Sequence, residues 1–175
     1  KPARGGSSRG THKVKRAEDL SAAVSDAFKY DAKIIIEKAI VGREIECAVL
    51  ERDGNIEASL PGEIKIDPKF EFYDFEAKYL DSATNVVVPA DIKRGVAIQQ
   101  AAIAAFKALG CSGLARVDFF YTSDDQIIIN ELNTAPGFTS TSVYPKLWAA
   151  SGLSYTEIIT ALIETAQRRT NSVLN

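Results

Sequence analysis

The amino-acid sequence predicts an α+β fold with a small N-terminal lobe, residues 1–60, followed by a larger lobe, residues 61–175. Runs rich in β-branched and aromatic residues occur in pairs around turn residues, which is the pattern of antiparallel hairpins. Three other segments repeat apolar residues at helical spacing. The 175 residues are 46% hydrophobic and 25% charged, which is typical of globular proteins and excludes disordered, collagen-like and coiled-coil chains.

The N-terminal lobe opens with a loop and a helix. Residues 1–12, KPARGGSSRGTH, are too rich in Gly, Ser and Arg to form a packed element. Apolar residues at helical spacing then predict a helix over residues 17–29. These residues are Leu20, Val24, Ala27 and Phe28.

Three strands are predicted for the rest of this lobe. Runs rich in β-branched residues predict strands over residues 33–40 and 44–50, joined at residues 41–43. The pair Asp53-Gly54 predicts a tight turn into a third strand over residues 56–59.

The larger lobe begins with a long aromatic loop over residues 62–90. We expect this loop to be functional, because its aromatic residues argue against disorder. Asp91 predicts the N-cap of a helix that ends at Gly110. Ser154 and Glu157 predict a capping box at the start of the last helix.

Between these two helices the sequence predicts a hairpin over residues 114–133. Its strands cover residues 114–121 and 126–132, on either side of a turn at residues 123–125. A loop rich in Thr, Ser, Gly and Pro follows over residues 133–145.

The net charge of −2 hides an uneven distribution of charge. Residues 1–16 carry six of the 21 basic side chains and no acidic one, so the remaining 15 stand against 23 acidic side chains. This asymmetry indicates a local anion site. The alternative, a basic arm for nucleic acid, predicts aromatic residues among the cations, and residues 1–16 contain none. We therefore expect no nucleic-acid partner.

The cysteines and the hydropathy pattern indicate a cytoplasmic protein. Cys47 and Cys111 each lie in an apolar segment and are predicted to be reduced core residues. No apolar run approaches the roughly 20 residues that span a bilayer. No zinc-ligand spacing, Ser-His-Asp triad or dinucleotide fingerprint is present, which removes the usual basis for hydrolase and dehydrogenase functions.

The strongest candidate site lies on the hairpin of residues 114–133. Because side chains alternate along strands, Asp118 is expected opposite or diagonal to Glu131, which shares a face with Asn133. Two carboxylates and an amide oxygen form the all-oxygen site that Mg²⁺ prefers. The alternative is an exposed strand face on which Arg116 pairs with Glu131.

The two loops supply further candidates. In residues 4–10, RGGSSRG, glycines let backbone N–H groups face an anion between flanking cations; the alternative is a frayed basic segment. Lys78 can meet a phosphate and Tyr79 can orient a substrate, or both can be ordinary surface and packing residues. His12 is expected to be solvated and not catalytic. A nucleotide polyphosphate would explain both the basic loop and the metal site.

Five blocks of the sequence together carry a family resemblance, and they span nearly the whole chain. They are KPARGGSS at 1–8, IEKAIVGRE at 36–44, FYDFEAKY at 72–79, GLARVD at 113–118 and NELNTAPG at 130–137. In this order they resemble the bacterial D-alanine–D-alanine ligases. The resemblance implies an ATP-grasp fold, of which the chain holds the second half of the central lobe and the C-terminal domain. It implies that an N-terminal domain is missing, that the isolated piece is inactive, and that the intact enzyme is a homodimer.

The resemblance also implies roles for individual residues. Those that would bind ATP are Lys1, Ser7, Glu37, Lys38, Ile40, Glu44, Lys78 and Phe120. Those that would bind two Mg²⁺ or Mn²⁺ ions are Asp118, Glu131 and Asn133. Those implied in catalysis are Ser7, Tyr79, Arg116 and Gly137. Those that would bind D-alanine are Lys78, Tyr79, Arg116, Gly137 and Ser142.

The implied reaction has two steps. The carboxylate of one D-alanine attacks the γ-phosphate of ATP to give an acyl phosphate, and the amine of a second D-alanine then displaces phosphate. Arg116 and the backbone N–H of Gly137 would stabilise charge on the carbonyl oxygen, and Lys78 and magnesium would neutralise the phosphoryl group. The product would serve peptidoglycan synthesis. The alternative is another ATP-grasp carboxylate–amine ligase or a D-alanine–D-lactate ligase.

Overall fold

The structure, a computed structural model, describes residues 1–6, 8–65 and 85–169. Three predicted site residues lie outside these ranges: Ser7, Lys78 and Tyr79. The chain forms two compact units. One unit comprises Lys1–Ile40 and Lys65–Asn85, and the other comprises Val41–Ile64 and Val86–Asn175.

The first unit contains the predicted helix. A 3-10 turn, Ala17–Asp19, leads into α1, Leu20–Ala27. The predicted strand over residues 33–40 is wrong beyond its first residues. A strand needs a backbone partner, and among the described residues the pairing ends at Ile35, whose N–H donates to the Lys1 carbonyl at 2.8 Å. The side chain of Ile36 is 69% exposed.

The basic loop of the first unit is fixed by a buried carboxylate. The guanidinium of Arg4 donates to Asp31 at 2.6 and 3.2 Å, and the backbone N–H groups of Lys33 and Arg4 donate to Asp31 at 3.0 and 2.9 Å. These bonds hold the pKa of Asp31 well below its usual range. Arg4, predicted to flank an anion, is therefore held by the fold itself. His12, expected to be solvated, also contacts a carboxylate: its Nε2 lies 2.8 Å from Asp26 Oδ2.

Replacing Asp31 with Asn is expected to loosen this loop. The Arg4 ion pair is lost, so the amides of Arg4 and Lys33 should exchange with solvent faster at pH 7. Because the pKa is lowered on folding, the stabilisation is present above the ordinary Asp pKa of about 3.9 and is lost as the pH falls through the lower folded value. Hydrogen exchange of these amides should therefore differ between variant and wild type at neutral pH and converge in strong acid.

Asp26→Asn is the matched control for this prediction. Asp26 also has a lowered pKa, caused by bonds to His12 and Lys29, but it does not hold the Arg4 or Lys33 amides. Equal exchange of those two amides in both variants would contradict the assignment to Asp31.

The second unit is built on an antiparallel sheet. The strands lie in the order β4-β3-β1-β5-β6, and β2 pairs with β1 outside this path. Their bounds are β1 Arg43–Arg52, β2 Asn55–Ala58, β3 Gly62–Lys65, β4 Asn85–Val87, β5 Leu114–Tyr121 and β6 Ile127–Asn133. Strands β1 and β2, assigned from sequence to the first lobe, thus share a sheet with β5 and β6.

The turns of this sheet agree with the sequence except near the aromatic loop. Asp53 and Gly54 have φ of 52° and 75°, the left-handed pair that a tight hairpin between β1 and β2 requires. Most of the loop predicted over residues 62–90, namely residues 66–84, lies outside the described residues. Its described ends contain two strands that were not predicted, β3 and β4. Its first residues are buried because Gly62 packs beneath Leu147, where a Cβ would lie only 2.5 Å from the leucine Cδ2.

Within the described residues, three helices cover the sheet of the second unit: α2 Gly95–Ala108, α3 Val143–Ala150 and α4 Tyr155–Arg168. Asp91 is not the N-cap of α2, since that position is Arg94 and no side chain caps it. The predicted end at Gly110 is confirmed: its φ is 63°, and the Cys111 N–H returns to the Phe106 carbonyl at 3.0 Å, as in a Schellman motif. The predicted capping box of α4 is present.

Helix α3 is not predicted from the sequence. It begins two residues before Pro145, inside the segment read as a loop. Proline interrupts a helix only where a backbone N–H is needed, and the first turn does not need it. Tyr144, Leu147 and Trp148 are buried at helical spacing and give the helix its packed face.

Each face of the sheet has its own core cluster. On one face, α2 packs against the odd-numbered residues of β1 and β5. On the other, α3 and α4 pack against Ala48 and Leu50. Cys47 is fully buried and burial raises its pKa to about 12; both cysteines are free thiols. In the described part of the chain, no helix combines the length and hydropathy needed to cross a membrane.

Candidate active site

The alternation of side chains along β5 separates core residues from site residues. Val117 and Phe119 are buried beneath α2. The side chains that alternate with them along β5 must therefore face the opposite side of the sheet. These are Arg116, Asp118 and Phe120, which are each partly buried.

The carboxylates of the predicted metal site meet across β5 and β6. Asp118 pairs directly with Glu131, and Phe119 with Ile129, so Asn130 is the extra residue of a β-bulge. A bulge re-aims the side chains beside it. The expectation that Asp118 and Glu131 are neighbours on one face is confirmed.

Asn133 brings its amide to both carboxylates. Its Nδ2 donates to Asp118 Oδ2 at 3.1 Å and to Glu131 Oε1 at 3.5 Å. The positive end of the amide thus lies where the two negative groups converge. Turning the amide would present Oδ1 there instead, beside the carboxylate oxygens.

These groups fit a small divalent cation. Within the described residues, no three Asp, Glu, His or Cys side chains form a metal cluster on their own. The donor set is therefore Asp118 and Glu131 with the amide oxygen of Asn133, which leaves further positions for phosphate or water oxygens, as Mg²⁺ prefers. Imidazole or thiolate ligands for a softer metal are absent from this set.

Arg116 forms an ion pair with Asp118, one of the two candidate metal-binding carboxylates. Its Nε and Nη2 each donate to Asp118 at 2.7 Å, one to each carboxylate oxygen, which is the strong two-bond geometry of a guanidinium on a carboxylate. Its Nε also lies 3.0 Å from Glu46 Oε2. A fixed cation therefore adjoins the candidate metal ligands.

The second unit also pairs two of the residues implied for nucleotide binding. Glu44 at the start of β1 lies directly opposite Phe120 of β5. Both side chains are partly buried. A carboxylate and an aromatic ring at adjacent positions can serve a ribose hydroxyl and a base, respectively.

The first unit holds the remaining described residues of that set. The Lys1 ammonium lies 2.6 Å from Glu37 Oε2. Lys38 is exposed and Ile40 partly exposed. The structure thus brings Lys1 and Glu37 together.

Gly137 and Ser142 approach each other in the loop after β6. A Cβ on Gly137 would lie 2.9 Å from Ser142 Oγ. That Oγ accepts the Thr139 N–H at 3.0 Å and lies 2.8 Å from Thr139 Oγ1, where either hydroxyl can be the donor. When Thr139 donates, the serine hydroxyl hydrogen can be directed to another acceptor. The close approach explains why a glycine occupies position 137.

Sequence reasoning missed two residues that support the site. Glu46 is a single charge inside the apolar run Ile45–Leu50, a signal that was available but did not identify Arg116 as its partner. Tyr155 of α4 donates its hydroxyl to the Phe138 carbonyl at 2.7 Å, next to Gly137. No motif in the sequence indicates that second contact.

The chain is similar to one group of ligases over almost its whole length. A family model described as D-ala D-ala ligase C-terminus matches residues 1–164. A D-alanine–D-alanine ligase of Oceanobacillus iheyensis is 54% identical over 172 residues, which are 97% of this chain and 46% of that protein.

Solved structures with the same fold are also similar. A D-Ala:D-Ser ligase from Enterococcus faecalis superposes with a TM-score of 0.82 at 41% identity, covering 94% of this chain and 48% of that one. A D-alanine–D-alanine ligase from Bacillus anthracis, complexed with ATP, superposes with a TM-score of 0.71 at 29% identity, covering 89% and 48%. The chain spans about half the length of the curated relatives it matches.

Proposed function

Because the chain belongs to the D-alanine–D-alanine ligase family, whose fold is ATP-grasp, we propose that it forms the C-terminal half of an ATP-dependent ligase. The complete enzyme joins two D-alanines through an acyl phosphate and releases ADP and phosphate. The observation that supports this most is the adjacency of Arg116 to the Asp118–Glu131–Asn133 cluster. This chemistry needs a cation that stabilises the developing oxyanion, and it needs ligands for a phosphate-bound metal.

Asp118, Glu131 and Asn133 hold the magnesium or manganese ions in this proposal. When bound, these ions neutralise phosphate charge during phosphoryl transfer. The protein side chains fix the position of that charge, since both strands are hydrogen-bonded on a rigid sheet. Two oxygens of Asp118 are available, but each must be shared with Arg116.

Arg116 stabilises the carbonyl oxygen on which charge grows when the amine attacks. Its position is set in advance by Asp118 and Glu46, so little reorganisation is needed at the moment of reaction. The backbone N–H of Gly137 is the second donor in this proposal. Ser142, whose hydroxyl hydrogen can donate, binds the carboxylate of the second D-alanine.

We assign nucleotide-binding roles to residues within each unit separately. In the first unit, Lys1 contacts the phosphates, and Glu37, Lys38 and Ile40 lie along the adenine. Glu44 binds the ribose and Phe120 supports the base. Ser7, Lys78 and Tyr79 lie outside the described residues, and their roles at the phosphates and the substrate remain part of the proposal.

The identity of the acceptor is a separate question. The similar structure from Enterococcus faecalis is a D-Ala:D-Ser ligase, which makes D-serine a second candidate acceptor beside D-alanine. D-lactate is the remaining alternative. We propose D-alanine because the curated relative at 54% identity is a D-alanine–D-alanine ligase.

The proposal is tested by the stoichiometry of the full-length enzyme. We expect one D-alanyl-D-alanine for each ADP with ATP, Mg²⁺ and D-alanine, and less product with D-serine or D-lactate. Hydrolysis of ATP without a dipeptide would contradict the proposal. We further propose that the enzyme is cytoplasmic and homodimeric and has no nucleic-acid or membrane partner. Its product would serve peptidoglycan precursor synthesis.

Gly137→Ala is expected to impair use of D-alanine without unfolding the protein. The added methyl displaces the Ser142 hydroxyl, which lies 2.9 Å from the new Cβ position. Loss of a hydrogen bond to a charged group corresponds to about 1.5–3 kcal/mol, or roughly 10- to 100-fold in kcat/KM for D-alanine. Steady-state kinetics of the full-length variant measure this ratio.

Gly95→Ala is the control for this substitution. A Cβ on Gly95, at the start of α2, meets no atom within 4 Å, so its kinetics should match the wild type. Unchanged kcat/KM in Gly137→Ala would show that the Gly137–Ser142 approach does not serve substrate binding.

A further inference from the structure

Glu46 is a charged residue buried in the middle of the sheet. It is 4% exposed and lies within the buried run Ile45–Leu50 of β1. It stands directly opposite Asp118, which itself stands opposite Glu131. Glu46 on β1 therefore adds a third carboxylate to the row formed by Asp118 on β5 and Glu131 on β6.

The partner of Glu46 is Arg116. Glu46 Oε2 lies 3.0 Å from Arg116 Nε, and the two side chains are 5% and 16% exposed. A buried ion pair often adds little net stability compared with apolar residues of similar size, because both charges lose their water. Glu46 is thus poorly explained as a stabilising residue alone.

Arg116 forms ion pairs with two carboxylates. Its single Nε hydrogen is donated to Asp118 Oδ1 at 2.7 Å, whereas Glu46 Oε2 lies 3.0 Å from the same Nε as a charge contact without a hydrogen bond. Both oxygens of Asp118 accept bonds from Arg116. In the proposed function, at least one Asp118 oxygen must also face a metal ion. Arg116 would lose part of its anchor when that happens, unless another carboxylate retained it.

We propose that Glu46 is a positioning residue that keeps Arg116 in place while Asp118 serves the metal. This inference rests on the proposed function of the site. Glu46 acts through Arg116 and does not touch the reacting atoms. Its charge also offsets that of Arg116, so that the guanidinium does not suppress cation binding at Asp118.

A second ion pair in the same sheet provides a matched comparison. The guanidinium of Arg43 donates two hydrogen bonds of 2.7 Å to the carboxylate of Glu63, and Glu63 is 8% exposed. This pair joins β1 to β3 and has no proposed role in binding the metal, the nucleotide or the substrate. Glu63→Gln therefore removes a buried carboxylate of similar exposure without disturbing Arg116.

The test compares Glu46→Gln with Glu63→Gln in the full-length enzyme. Loss of a residue that orients a functional group typically lowers activity or metal affinity by about 10- to 100-fold. We expect Glu46→Gln to lower kcat by that amount with little change in the KM for ATP, and to weaken Mn²⁺ binding about tenfold. Glu63→Gln should change neither quantity, even if both variants melt at lower temperature.

Glu46→Asp separates positioning from simple electrostatics. It keeps the buried charge but withdraws the carboxylate from Arg116. Positioning predicts a reduced kcat, whereas an effect of charge alone predicts wild-type kcat and would overturn the inference. This variant also keeps the test decisive if Glu46→Gln does not fold.

The outcomes distinguish this inference from the proposed function. Mn²⁺ binding, followed by paramagnetic resonance with a non-hydrolysable ATP analogue, requires no turnover. If the wild type makes no dipeptide, the proposed function fails, and the inference fails with it. If the wild type is active and Glu46→Gln matches Glu63→Gln in kcat and Mn²⁺ affinity, the positioning role alone is overturned.

Discussion

Glu131→Gln in the full-length enzyme is expected to lower the rate of Mg²⁺-dependent ADP release by on the order of 10³-fold, since a metal contributes several kcal/mol to charge stabilisation. Glu131 supplies one of the two carboxylates that meet across β5 and β6. The amide of Gln keeps the size of the side chain and removes the charge. The variant should fold normally because Glu131 is exposed.

Two measurements check this expectation. Mn²⁺ binding should weaken together with the rate, which a general loss of stability would not produce. Glu57→Gln on β2, which removes a carboxylate paired with Arg52, should leave both quantities unchanged. Turnover at the wild-type rate in Glu131→Gln would place the metal site elsewhere.

Arg116→Lys is expected to uncouple the two steps of the reaction. Lysine retains a positive charge between Glu46 and Asp118 but cannot reproduce the two-bond fork. Loss of an oxyanion donor lowers a rate by about 10²–10³-fold, so dipeptide formation should fall by that factor. ADP release should fall less, because the first step does not need this donor and water can hydrolyse the acyl phosphate that the amine captures slowly. The ratio of ADP to dipeptide should therefore rise.

Arg43→Lys is the control for that prediction. Arg43 makes the same two-bond contact with Glu63, outside the proposed site. Its ratio of ADP to dipeptide should equal that of the wild type. A parallel fall of both products in Arg116→Lys would contradict a role specific to the second step.

Period-two alternation made the central hairpin predictable. It places Asp118 and Glu131 on one face, and the register confirms that they are opposite. The bulge at Asn130 could not be anticipated, because it depends on how β6 fits β5 and not on a residue type. The capping box at Ser154 and the glycine end at Gly110 were likewise local signals, and both are confirmed.

The misread segments depend on partners distant in the chain. The apolar run from residue 33 to residue 40 looks like a strand, yet a strand is defined by its ladder. Helix α3 was not predicted because it contains Pro145. Proline is tolerated in the first turn of a helix, where its missing N–H has no partner to bond. The partner of Glu46 was hidden for a similar reason: the sequence shows a charge in an apolar run, but only the sheet register brings Arg116 to it.

Ligation through an acyl phosphate can be followed with D-alanine labelled with ¹⁸O in both oxygens of its carboxylate. If the full-length enzyme forms an acyl phosphate, a carboxylate oxygen becomes the bridge to phosphorus and leaves with it. We expect the phosphate to carry one ¹⁸O for each dipeptide formed. Unlabelled phosphate would show that water attacks ATP and would contradict the assignment of this metal and arginine site to ligation.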